Sequence, residues 1–126
     1  MSAATMPAEI AGALAELHAA FPDRVQVHED SAGVIVAIAD VTLSGRWNPR
    51  TGTLWFLIPY HYPDAAIYPF YLTGARPTGG MIGGLQDVAW RGEPAIQVSL
   101  RHTAWNPKLD TALGSALQAQ AWLAAH

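Results

Sequence analysis

Ala95-Ile96-Gln97-Val98-Ser99-Leu100-Arg101-His102-Thr103-Ala104-Trp105-Asn106-Pro107 is the stretch on which the reading of this chain turns. Ile96, Val98 and Leu100 alternate with Gln97, Ser99 and Arg101. That period of two sends apolar side chains to one face of a strand and polar ones to the other. Trp105-Asn106-Pro107 ends the strand, because the proline ring fixes φ and removes the amide donor. Beyond it Leu109, Leu113, Leu117 and Ala121 recur at helical spacing, with Asp110 and Thr111 in the first turn. A carboxylate there suits the positive end of the helix dipole. The spacing therefore predicts a helix from about Leu109 to the C-terminus.

Moving back from this stretch, residues 85–90 show no decisive period. Residues 74–84 read as a loop, with Gly79-Gly80 and Gly83-Gly84 around Met81-Ile82, a composition that bends sharply. Residues 67–72 read as a strand, with Pro69 favouring a sheet edge or an irregular start. Pro59-Tyr60-His61-Tyr62-Pro63-Asp64 interrupts the pattern as an elbow. A strand over 53–58 follows the hairpin turn Asn48-Pro49-Arg50-Thr51-Gly52. Residues 34–43 are apolar on both faces, as a buried central strand would be. Asp30-Ser31-Ala32-Gly33 is a turn by composition, and 25–27 is a short strand. Ile10, Leu14, Leu17 and Phe21 mark an amphipathic helix over about 7–20, with Pro7 suited to its first turn. The prediction is one α+β domain over residues 1–126: an N-terminal helix, a four-stranded antiparallel meander sheet and a C-terminal helix.

Composition narrows the function classes. The chain is 51% hydrophobic, enough for a real core, and only 13% charged, where an average domain is roughly a quarter charged. A net charge of -3 argues against nucleic acid, whose recognition needs clustered cations. With no cysteine there is no disulfide, no thiolate zinc site and no thiol nucleophile. His28-Glu29-Asp30 and His61 lack metal-ligand spacing, so no metal is expected. No Gly-x-Ser-x-Gly or Ser-x-x-Lys motif occurs, and the glycine pairs lack the Gly-Lys-Ser/Thr ending of a phosphate loop. No cofactor is expected. No apolar run approaches the ~18–20 residues that span a bilayer, and the N-terminus lacks a basic signal region. The expectation is a cytoplasmic protein with no membrane association. Trp-Asn-Pro occurs at 47–49 and again at 105–107, too short a match for an internal repeat.

The order of helix, meander, Tyr-Pro elbow, irregular loop, extended segment, Trp-x-Pro and helix resembles the ubiquitin-conjugating enzyme (UBC-like) superfamily over nearly the whole chain. Ile58-Pro59, Tyr62-Pro63 and Tyr68-Pro69-Phe70 resemble its proline-rich elbow, and Trp105-Asn106-Pro107 the motif that opens its next helix. The departures matter as much. Counted back from Trp105, the family's catalytic cysteine falls on Gln97. Its His-Pro-Asn triplet is missing from Asp87-Val88-Ala89-Trp90, which holds neither the histidine nor the asparagine. The resemblance implies a divergent, bacterial-type member that takes a ubiquitin-like protein from an adenylating activating enzyme and passes it to a target protein. Without the cysteine, the acyl acceptor must be replaced or abandoned.

Ser99 is the replacement that position offers, on the same strand face as Gln97. A serine hydroxyl carries an acyl group as an oxyester when a base and oxyanion donors are near. His102 is the nearest candidate base, Arg101 a candidate for stabilising developing charge, and Gln97 a candidate for holding a carbonyl through its amide. Thr103 is a second candidate nucleophile. The opposing reading is a solvated polar strand face on a cysteine-free binding or scaffold module of the same fold. Trp90 and Trp105 read as packing residues, and Tyr60, His61 and Tyr62 as elbow residues that either meet a partner or bond locally. The glycine-rich stretch 79–84 is placed to act as a lid.

Overall fold

A computed structural model describes residues 6–100 and 105–126. The elements run α1 (Ala8–Ala20), β1 (Val25–Asp30), β2 (Gly33–Thr42), β3 (Trp47–Asn48), β4 (Thr51–Pro59), β5 (Phe70–Thr73), β6 (Arg76–Pro77), β7 (Leu85–Trp90), β8 (Glu93–Val98) and α2 (Ala112–Ala125). The chain is α+β, with a helix at each end of an antiparallel sheet. The sheet has six strands, in the order β1-β2-β4-β5-β8-β7, where four were predicted. The predicted meander is its first four strands. β3 and β6 form a separate two-stranded ribbon.

The extra pair is the β7–β8 hairpin. Its two-residue turn is Arg91-Gly92, with φ of 53° and 83°. Positive φ at both central residues is the twist that matches flanking antiparallel strands. β8 then inserts beside β5, pairing Phe70 with Val98 and Tyr71 with Gln97. So β5 is interior, not an edge, and Pro69 stands just before it, where no ladder hydrogen bond is lost. β8 ends at Val98, which leaves Ser99 and Leu100 beyond the strand predicted to carry them.

One face of the sheet and both helices share a single core. Val34, Val36, Ile38, Leu54, Phe56, Ile58, Phe70, Leu72, Ile96 and Val98 pack with Ile10, Leu14 and Leu17 of α1. All the apolar positions predicted for α1 are buried, including Phe21 just past its end. Gly33 is required where β2 starts, since a Cβ there would stand 2.1 Å from the Ile58 carbonyl oxygen. Between Ile38 and Val41 the β2–β4 register shifts. The Arg24 guanidinium donates to the Ala39 and Asp40 carbonyls at 2.8 and 2.9 Å, satisfying backbone that the bulge takes off the ladder.

The C-terminal helix is present but turned from the predicted face. Its buried stripe is Ala112, Ala116, Ala119 and Leu123, while Leu109 and Leu117 are 77% and 46% exposed. Alanines let the helix lie close to α1 and β2; leucines at those positions would hold it off. The helix also starts later than predicted. Thr111 is its N-cap, accepting from the Gly114 amide at 2.9 Å. Residues 106–110 form a turn instead, in which the Asn106 side-chain oxygen accepts from the Lys108 amide and the Asp110 carboxylate accepts from the Asn106 amide.

Candidate functional site

Gln97 and Ser99 are brought together as the strand period implies. Gln97 is held in β8 between Tyr71 of β5 and Gln86 of β7, so the sheet fixes its position. Its Nε2 donates to the Ser99 Oγ at 3.3 Å. Ser99 is half-buried, and its amide donates to the Gly84 carbonyl at 2.8 Å. The glycine-rich stretch therefore ends directly against the candidate nucleophile. Gly84 has φ of 91°, a conformation that favours glycine.

A cavity of about 270 Å³ opens beside Ser99, lined by Leu100 and, from α2, Gln118 and Trp122. Trp122 carries His126 stacked on its ring at 4.7 Å, and His126 Nδ1 lies 3.0 Å from the Trp122 carbonyl oxygen. Gln118, Trp122 and His126 were not singled out in the sequence. Gln118 and Trp122 reach the site only because α2 packs back across the sheet, and the C-terminal helical pattern gives no sign of that; His126 lies behind Trp122.

Among the described residues, the one side-chain hydrogen bond to the Ser99 hydroxyl comes from Gln97. An amide donor on Oγ leaves the hydroxyl proton available and favours charge developing on the oxygen. It does not remove the proton, which is a base's task. Arg101, His102 and Thr103 lie outside the described residues.

The elbow and the Trp-Asn-Pro segment, far apart in sequence, meet in the fold. Trp105 Nε1 donates to the Pro63 carbonyl at 2.6 Å, and the Tyr62 and Trp105 rings stand 6.5 Å apart. Tyr62 is buried, and its phenolic oxygen accepts from the Ala112 amide at 2.9 Å, satisfying a donor in the first turn of α2. Tyr62 is thus a packing and capping residue, and Trp105 packs against the core beside it. Tyr60 stays exposed and donates to the Asp30 carbonyl at 3.0 Å. The clamp fixes Trp105 against the elbow.

Among the described residues no group of three or more His, Cys, Asp or Glu converges as metal ligands, and no helix is long and apolar enough to cross a membrane. The chain matches no protein-family model, no curated protein and no solved structure.

Proposed function

We propose that this chain is a UBC-like protein of the cytoplasm that accepts a ubiquitin-like protein from an adenylating activating enzyme and passes it to a target, carrying it as an oxyester on Ser99. The observation that carries the reading is the placement of Ser99: the Gln97 amide on its hydroxyl, the end of the glycine-rich stretch against its backbone, and an open cavity beside it. The clamp between Tyr62-Pro63 and Trp105, the two segments that bear the family resemblance, adds support. In the loading step the Ser99 oxygen attacks the acyl carbonyl of the ubiquitin-like adenylate. A C–O bond forms, AMP leaves, and the hydroxyl proton passes to His102. In transfer, an amine of the target attacks the ester, an amide N–C bond forms, the C–O bond to Ser99 breaks, and the proton the amine sheds passes to the Ser99 oxygen. Gln97 holds the acceptor oxygen, and Arg101 stabilises the negative charge of the tetrahedral intermediate.

The test mixes the chain with the activating enzyme, the ubiquitin-like protein and ATP. The expected product is a covalent adduct that survives reducing agent, is cleaved by mild hydroxide and is absent in Ser99→Ala. An adduct that persists in Ser99→Ala but is lost in Thr103→Ala moves the nucleophile. A second reading, a non-catalytic scaffold that positions the ubiquitin-like protein, draws on the missing cysteine, whose place in the resemblance is taken by Gln97. It predicts tight non-covalent binding with no adduct.

A further inference from the structure

The tip of the β7–β8 hairpin bends over the sheet face opposite the helices and carries chemistry that the fold does not require. Arg91 adopts φ of 53°, where asparagine or glycine serves better and an arginine is disfavoured. Its guanidinium lies 5.6 Å from the centroid of the Trp55 ring. The next aromatic, Trp90, stacks on Tyr71 at 4.0 Å with planes 15° apart. Trp55 is itself fixed, its Nε1 donating to the Thr73 Oγ1 at 2.8 Å. Trp55, Thr73, Trp90, Arg91 and Glu93 line a cavity of about 290 Å³, with Tyr71 behind Trp90. Among the described residues the ion pair is Arg76 with Asp87; Arg91 and Glu93 have none.

Aromatic walls with one guanidinium and one carboxylate at the rim restrict the ligand. A cation is repelled by the Arg91 guanidinium at the rim. A simple anion is repelled by Glu93. An aliphatic ligand would strip water from both charges and return no hydrogen bond. A nucleic-acid strand needs a run of cations that this face lacks. A flat body with a donor beside an acceptor satisfies all the groups together. We propose that this cavity binds a single planar nitrogen heterocycle of nucleobase size, stacked on the aromatic wall. Glu93 accepts from its N–H, and Arg91 donates to the neighbouring carbonyl or ring nitrogen. This site is separate from Ser99 and does not depend on the conjugation reading.

The test titrates the full chain with guanosine, adenosine, uridine and cytidine to millimolar concentration, followed by tryptophan fluorescence and saturation-transfer NMR. Saturable binding of at least one nucleoside is expected. Arg91→Asn and Glu93→Gln should each weaken it by about tenfold or more, the worth of one charge-assisted hydrogen bond. Arg91→Asn also creates the favoured Asn-Gly turn, so its Tm should be no lower than that of the parent, which separates loss of ligand from loss of fold. No saturable signal with any of the four, or binding undiminished in either variant, would overturn the proposal.

Discussion

On the helix-covered face of the sheet the strands present Val34, Val36, Ile38, Phe56, Leu72 and Ile96, all buried. On the opposite face the same strands present His28, Trp55, Tyr71 and Gln97, all half-buried. One alternation produces both sets, and burial decides their chemistry. Where two helices exclude water, the sheet presents aliphatic and phenyl side chains that carry no polar atom to satisfy. Where no helix packs, the large side chains are amphipathic. They cover Ile35 and Ala37 with their rings and keep polar tips for hydrogen bonds.

The largest effect should come from truncating the covered face. Phe56→Ala removes a fully buried ring that packs on Phe70 at 5.3 Å and should cost about 3–5 kcal/mol in urea unfolding. Trp55→Ala, on the neighbouring residue but the open face, should cost roughly half as much despite deleting a larger side chain. Equal costs, or the reverse order, would break the contrast between the faces. Tyr62→Phe tests the junction that ties the elbow to α2. It strands the Ala112 amide and should lower stability by about 1 kcal/mol, as should Thr111→Ala at the same helix end. The smallest effect is a pH dependence confined to the open face. Burial raises the Tyr71 pKa above its ordinary 10.0, so the folded chain holds that proton more tightly than the unfolded one. Its contribution is intact below pH 10.0 and is lost as pH rises from there through the folded pKa. Tyr71→Phe should flatten the alkaline decline in stability between those two values.

Much of this could be read directly. In α1 each leucine and isoleucine of the periodic set faces the core, since its other positions are polar or small. In α2 alanine and leucine surround the helix, the pattern has no single apolar face, and of the leucine stripe Leu113 packs on the core while Leu109 and Leu117 face out. The second hairpin went unread because its turn uses Arg91 where asparagine would have announced it; Gly92 was the available signal. The proximity of Gln97 and Ser99 was legible from alternation, although Ser99 lies just beyond the end of β8. The Gly84 carbonyl, Gln118 and Trp122 were not, because tertiary packing brings them to Ser99 from separate elements.

The measurement closest to the proposed function is an NMR titration of the isotopically labelled chain with a ubiquitin-like protein, using Ser99→Ala so that the proposed acyl transfer cannot intervene. The account predicts amide shifts concentrated at Gly84, Gln97, Ser99, Leu100, Gln118 and Trp122, around the Ser99 cavity. Shifts confined to Trp55, Tyr71 and Trp90 on the open face, or none at all, would contradict it.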